Sequence, residues 1–400
     1  MNDNAQWKER GDKVFIGTYS RFPAAMVRGE GCRLWDANGR EYLDFLSGIA
    51  VCALGHCHPA VTEAIQRQAG SLLHVSNLFY TVPQIELAEL LVANSFADKV
   101  FMANSGAEAN EAALKLARIH SGPGRYEVIS LLGSFHGRTL ATVAATGQPR
   151  FHQGFEPLPQ GFVHAEFGDP AAIEALVNDR TCAILCEPLQ GESGVRPLEP
   201  EYLKAIREIC DRRNLLLIFD EVQTGLGRTG TLFAHEQLGV TPDIMTLAKA
   251  LGNGLPIGAM LTTDKIAASL TAGTHASTFG GNPVAAAAGA AVLRLILADG
   301  FLAGVRERGA YFAEQLAGVA RQFPELATGV RGRGMLLGLV LTEKGIGLGA
   351  RIVEEMFARG TLINFAGNRV LRFVPPLVVS PAEIDTLIER LKAVLADLAA

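Results

Sequence analysis

Among the chain's nine lysines, Lys249 stands apart. In Asp243-Ile-Met-Thr-Leu-Ala-Lys249-Ala-Leu-Gly-Asn-Gly it follows an apolar run and precedes a glycine-rich turn, while most of the others lie on polar stretches. Desolvation lowers a lysine's pKa and makes the amine a nucleophile for Schiff-base chemistry. No acidic residue stands beside it in the chain, so a purely structural role would leave a buried charge uncompensated. A second feature is Leu215-Leu-Leu-Ile-Phe-Asp220-Glu-Val-Gln223, which drives a carboxylate to the end of an apolar strand. Ligands of parallel α/β sheets bind beyond those strand ends. A carboxylate buried there needs donors or a cation, and either a cationic ring nitrogen or an arginine would serve. The third is Asn104-Ser-Gly-Ala-Glu-Ala-Asn110, where Ser105 and Glu108 read as a capping box at a helix start. Gly106 and Ala107 leave backbone N–H groups uncovered, as a helix N-terminus that accepts phosphate requires. An ordinary capped helix explains Ser105 and Glu108 but not three small residues in a row.

One ligand satisfies all three features. It carries a phosphate, a protonatable ring nitrogen and a carbonyl that forms an imine with lysine; pyridoxal 5′-phosphate has each of these. Other motifs fit their chemistry less well. Gly225-Leu-Gly227-Arg-Thr-Gly230 matches the dinucleotide fingerprint, yet it neither follows its strand directly nor opens a helix, as nicotinamide binding demands. Cys52, His56, Cys57 and His58 have no second ligand pair beyond a spacer, so no metal is expected, and the turn reads as caps and packing. His136 and His275 sit among glycines, either as turn residues or against a ligand. Cys182 and Cys186 are expected on one face of a buried strand.

These residues need a scaffold. From Lys99 onward, nearly continuous apolar strands alternate with helices, which implies a large, mostly parallel sheet covered on both faces. Strands are expected at 100–102, 126–132, 181–186, 215–219, 244–247 and 257–262, with helices at 107–120, 200–213 and 283–297. Ahead of them come helices at 59–73 and 84–93. A hairpin at 33–45 turns on Asn38-Gly39. Beyond 297 the texture changes to long helices at 302–323 and 381–398 with short strands at 334–341, 361–364 and 370–374. The expected organisation is an N-terminal segment over 1–50, a cofactor-binding α/β domain over 51–297, and a smaller α+β domain over 298–400. The 400 residues are 48% hydrophobic, with 36 basic against 41 acidic residues, a balance that excludes wholesale disorder and draws no nucleic acid or anionic membrane. The first residues carry no apolar export signal, and six cysteines are too few for a disulfide scaffold, so a cytoplasmic protein is expected.

The chain resembles the class III, ω-amino-acid aminotransferases of pyridoxal-phosphate fold type I. The likeness runs from about Gly29 to Val379 and rests on GIAVCALGHCHP, NSGAEANEAALKLAR, SFHGRT, EPLQGESG, FDEVQTGLGRTG, LAKALGNGLPIGA, STFGGNP and LRFVPPLVV. The resemblance implies that Lys249 bonds the cofactor and later carries a proton, and that Asp220 holds the pyridinium N–H. It further implies Gln223 near the phenolic oxygen, Phe135 against the ring, and Ser105, Gly106 and Ala107 on the phosphate. Thr278 would join the phosphate from a neighbouring subunit, which makes a homodimer the expected unit. Arg138 and Ser277 would contact substrate. Arg372 would take the proximal carboxylate of glutamate, with Glu192 masking it when an ω-amine donor is bound. N-acetylornithine leads the expected donors, ahead of succinylornithine, ornithine and 4-aminobutyrate, with 2-oxoglutarate as acceptor. Ala107 replaces a threonine common in some members, Ser193 replaces a glycine, and Leu251-Gly-Asn253-Gly varies a glycine-richer turn.

Overall fold

In the computed structural model, residues 3–399 are described; residues 1, 2 and 400, the outer tips of the expected terminal segments, lie outside the described residues. Seven strands form the central sheet in the spatial order Lys99–Ala103, Gly258–Thr262, Ile244–Leu247, Leu216–Asp220, Thr181–Cys186, Glu127–Leu131, Phe162–Ala165. Gly258–Thr262 runs antiparallel to both neighbours and every other pairing is parallel. The four inner strands from Ile244–Leu247 to Glu127–Leu131 are buried along their whole length. Helix Gly106–Ser121 packs on one face against Val128, Ala183 and Ile218, and helix Pro200–Arg213 on the other against Ile129, Ile184 and Leu217. Each such leucine or isoleucine, fully buried, stabilises by about 1.5–3 kcal/mol.

Two four-stranded sheets and a two-stranded one, Leu189–Gln190 with Arg196–Pro197, accompany it. Met26–Glu30, Arg33–Asp36, Glu41–Asp44 and Thr361–Leu362 make the first. Ala327–Arg333, Leu336–Leu341, Val370–Phe373 and Asn364–Ala366 make the second, antiparallel throughout. The strand expected at 361–364 is thus two strands in two sheets. Thr361 and Leu362 pair with Leu43 and Asp44, whereas Asn364 pairs with Arg372.

Other differences have local causes. Cys182 and Cys186 do not share a face. Glu127 faces Thr181 but Val128 faces Ala183, so Cys182 is the extra residue of a bulge and packs with Ala183 and Leu185, while Cys186 packs on the opposite side with Ile184. Helix Glu343–Ala358 was not expected from a stretch carrying Gly345, Gly347 and Gly349. Tertiary packing overrides propensity there: a Cβ on Gly345 would meet the Leu326 carbonyl oxygen at 2.1 Å, and one on Gly349 the Phe365 ring at 2.5 Å. No single helix among the described residues is long and apolar enough to cross a membrane.

Candidate active site

Strand Leu216–Asp220 delivers Asp220 to its carboxyl end, 4% exposed. Asp220 Oδ1 accepts from the Val222 N–H at 3.0 Å; Oδ2 meets Asn110 Nδ2 and His136 Nδ1, both at 2.8 Å. Thr246 Oγ1 donates to Asn110 Oδ1 at 2.7 Å, which turns the Asn110 amide so that its NH2 faces Asp220. The partners of Asp220 are therefore an amide and an imidazole, and no arginine among the described residues pairs with it.

Lys249 opens a single turn beyond strand Ile244–Leu247, with φ +46°. Left-handed backbone at a residue with a Cβ costs about 1–2 kcal/mol, so the surroundings must hold it. Asn253 supplies one clamp. Itself left-handed, it accepts from Leu54 N–H at 2.8 Å and donates to the Gly55 carbonyl at 3.1 Å, pinning the turn to the GHCHP block. Burial pushes the Lys249 amine below the ordinary lysine range, opposed by Glu192 and reinforced by Arg372.

At the other end of the same space helix Gly106–Ser121 begins. Ser105 Oγ accepts from Glu108 N–H at 3.1 Å, but the expected capping box is displaced by one residue: Glu108 reaches back to the N–H and amide of Asn104. The N–H groups of Gly106 and Ala107, in the helix's first turn, have no intrahelical partner. A Cβ on Gly106 would lie 2.7 Å from Val222, so only glycine admits that valine beneath the site.

These elements enclose a cavity of about 410 Å3 lined by Ser105, Gly106, Ala107, Phe135, Asp220, Gln223, Lys249 and Glu192, eight of the residues singled out in the sequence. Arg372 stands directly behind. Fully buried in strand Val370–Phe373, it donates from Nη1 to Glu192 at 2.7 Å, to the Gly191 carbonyl at 3.1 Å and to Gln223 at 3.4 Å, and from Nε to Asn364 at 3.1 Å. Its Nη2 is buried without a partner among the described residues. Burial works against ionisation of Glu192, yet Arg372 holds its carboxyl below the usual range.

The three other expected residues lie farther from this cavity. Arg138 is exposed and lies over the Phe151 ring at 4.1 Å, while Ser277 and Thr278 line a neighbouring pocket that shares only Asn104 with the first. Among the cavity residues that were not assigned from sequence are Asn110, Val222 and Glu187, together with the role of His136. Asn110 carried a signal, since a polar amide one turn after Gly106 falls on the face that must bury. Glu187 is buried, donated to by the Phe135 N–H at 3.1 Å, and burial, then Asp220, push its carboxyl well above the usual range.

The alternative motifs fall elsewhere. The GLGRTG loop opens no helix, and only the short turn Ala234–Gln237 follows. His56 pairs with buried Asp44 at 2.7 Å, which pushes the imidazole up to about 10. No three His, Cys, Asp or Glu side chains gather as a metal site among the described residues. His275 stacks on Phe101 and contacts Lys115, away from the cavity.

Pyridoxal 5′-phosphate fits this donor set: uncovered N–H groups for a phosphate, a buried oriented carboxylate for a ring nitrogen, and a desolvated lysine between them. A fold of this topology with such a site is a pyridoxal-phosphate-dependent transferase of fold type I. Residues 17–395 match the family described as aminotransferase class III, and the chain belongs to that family. It is 50% identical over 390 residues, 96% of this chain and 98% of its relative, to an acetylornithine aminotransferase of Caldanaerobacter subterraneus. Among solved structures it is similar to an N-acetylornithine aminotransferase from Stenotrophomonas maltophilia, at TM-score 0.84 and 38% identity, covering 98% of this chain and 99% of that one. It is also similar to an ornithine aminotransferase from Toxoplasma gondii, at TM-score 0.95 and 32% identity, covering 100% and 96%.

Proposed function

We propose that this enzyme transfers the terminal amino group of N-acetylornithine to 2-oxoglutarate, giving N-acetylglutamate 5-semialdehyde and glutamate, as a cytoplasmic homodimer serving arginine biosynthesis. The observation that carries the reading is the Arg372–Glu192 pair, a buried guanidinium masked by a half-buried carboxylate. An ω-amine donor reacts with its α-carboxylate far from the cofactor, whereas glutamate reacts with one carboxylate close by. A proximal cation that is masked in one half-reaction and open in the other serves both. The name of the Caldanaerobacter relative supports acetylornithine as the donor.

When bound, pyridoxal phosphate supplies an electrophilic carbon for the incoming amine and a ring that accepts the electrons left by a departing proton. Lys249, its pKa lowered by burial, acts as nucleophile and proton carrier. Asp220, aimed by Asn110 and His136, keeps the ring nitrogen protonated. Ser105, Gly106 and Ala107 hold the phosphate, Phe135 and Val222 confine the ring, and Gln223 hydrogen-bonds the phenolic oxygen. Arg138 takes the distal carboxylate. Leu78, Phe79 and Tyr80 are exposed apolar residues, and Phe279 beside Thr278 is exposed as well. A second copy covering them brings Ser277 and Thr278 to its partner's site.

Initial rates with N-acetylornithine, N-succinylornithine, ornithine and 4-aminobutyrate at equal concentration, each with 2-oxoglutarate, test the proposal. N-acetylornithine is expected to lead; a wide margin for 4-aminobutyrate would sink it. Turnover without any keto acid would instead indicate an aminomutase. Borohydride is expected to fix the cofactor on the peptide that contains Lys249.

A further inference from the structure

The GLGRTG loop carries a guanidinium that no acid accompanies. Arg228 is fully buried, and its Nη1 donates to the carbonyls of Met335, at 3.1 Å, and of Pro375. Its Nε and Nη2 are buried with no partner among the described residues. These two nitrogens point their N–H bonds the same way, as the side-on edge of the planar fork. Arg228 thus commits one corner to backbone and keeps a whole bidentate edge open. Donors buried and left unmade are costly.

The segments packed around the loop bring more arginine and no acid. On helix Phe301–Gln322, Arg306 Nη1 donates to the Gly230 carbonyl at 2.8 Å and Arg308 Nη2 to the Leu377 carbonyl at 2.7 Å. Backbones touch here: a Cβ on Gly309 would meet the Gly334 carbonyl oxygen at 2.7 Å, and one on Gly334 the Arg228 carbonyl oxygen at 2.7 Å. Arg308 Nε and Thr229 Oγ1 are further buried atoms without a partner among the described residues. None of Arg228, Arg306 and Arg308 pairs with a carboxylate among the described residues, and Glu307, between the helix arginines, is exposed. Burial pushes the Arg228 guanidinium down to about 9, so it keeps its proton at neutral pH. A cation desolvated this fully calls for an anion; water satisfies the donors but not the charge.

We propose that the Nε–Nη2 edge of Arg228 binds one chloride ion, at the junction of the GLGRTG loop, helix Phe301–Gln322 and the segment Pro375–Leu377. A monatomic anion suits the space better than a phosphate or a carboxylate. A Cβ on Gly227 would lie 3.0 Å from Leu377 and one on Gly230 2.8 Å from Arg306, so the loop is crowded on both flanks. The ion balances the charge of Arg228 while Nη1 stays on the Pro375 carbonyl, two residues beyond strand Val370–Phe373. It therefore stabilises the folded chain by mass action at a place that shares no lining residue with the active-site cavity.

The test has two arms on the holoenzyme and one on a variant. Crystals soaked in sodium bromide, with diffraction collected at the bromine absorption edge, are expected to show an anomalous peak beside Arg228 Nε and Nη2. Thermal unfolding in increasing sodium chloride, with sodium gluconate holding the ionic strength constant, is expected to show Tm rising by about 2–3 °C at chloride ten- to a hundredfold above its Kd. Arg228→Met, whose apolar side chain needs no counter-ion, should fold and lose that dependence. A bromide map empty at Arg228 overturns the site and leaves water as the partner of the edge. A peak there with a Tm indifferent to chloride marks an adventitious ion only and overturns it too. So does a folded Arg228→Met protein with the full chloride dependence, because the ion then binds elsewhere. Should Arg228→Met not fold, the bromide map and the Tm series of the unmodified protein decide.

Discussion

Glu192→Ala should speed the glutamate half-reaction relative to the N-acetylornithine half-reaction. Two unit charges about 4 Å apart at an effective dielectric near 20 attract by about 4 kcal/mol, and desolvation offsets part of that. The Glu192 side chain is 29% exposed and Arg372 1% exposed, so both partners are desolvated, the arginine more completely, and it stays buried whether or not Glu192 is there. A net masking energy of about 2 kcal/mol follows, within the measured range for desolvated pairs, and corresponds to roughly a thirtyfold change in selectivity. Arg372 keeps the Gly191 and Asn364 oxygens in the variant, so it stays in place and opens to substrate. Arg372→Ala should cripple the glutamate half by a similar factor while sparing N-acetylornithine. Single-turnover rates for each half-reaction, followed through the cofactor absorbance, measure both effects. Equal losses in both halves for both variants would refute the masking and leave Arg138 as the only assigned carboxylate anchor.

Other outcomes follow from the same geometry. Gly191→Ala should lower cofactor affinity by about tenfold or more, measured by equilibrium dialysis, because its Cβ would lie 1.8 Å from Gln223 Oε1 and must expel that side chain. In the apoenzyme the pKa of Lys249 is lowered, so between that value and about 10.4 the unfolded chain binds more protons and stability rises with pH; Lys249→Met should remove this slope in urea titrations. The carboxyl of Glu187 is raised instead, so from about 4.3 up to its folded value the native state binds more protons and stability falls as pH rises. Glu187→Gln, which keeps an acceptor for the Phe135 N–H, should flatten that fall.

What the sequence revealed depended on whether a residue's neighbours are local. Strand Thr181–Cys186 and helix Pro200–Arg213 carry their signals in consecutive residues and lie where periodicity puts them. Lys249, Asp220 and the Gly106 helix start were legible because each breaks a pattern at an element's end. Asn110 lies inside helix Gly106–Ser121, marked only by its polarity on a burying face, and Glu187 and Val222 stand just past the ends of strands Thr181–Cys186 and Leu216–Asp220, where their roles depend on partners far along the chain. The Cys182 bulge and the glycine-bearing helix Glu343–Ala358 depend on partners far along the chain, which period counting does not see.

The GLGRTG loop bears on which partner of the Arg372–Glu192 pair can move. Arg228 is fully buried and donates from Nη1 to the carbonyls of Met335 and Pro375, the latter three residues beyond Arg372. Gly334 approaches the loop so closely that a Cβ would meet the Thr229 backbone at 2.5 Å, and its φ of +55° suits glycine. From the other side, Val374 donates its N–H to the Phe45 carbonyl at 2.9 Å and accepts from Ser47 Oγ at 2.6 Å. The strand that carries Arg372 is therefore gripped from two directions just past the arginine. The Glu192 loop is held one residue on, where a Cβ on Gly367 would meet the Ser193 backbone at 2.6 Å, but the Glu192 side chain itself is 29% exposed. It sits between Gly191 and Gly194, the latter at φ +100°, in the short loop joining strands Leu189–Gln190 and Arg196–Pro197. On the proposed masking, a guanidinium held this firmly would leave the energy of unmasking to the movement of the Glu192 side chain, with the cation fixed for whichever carboxylate arrives.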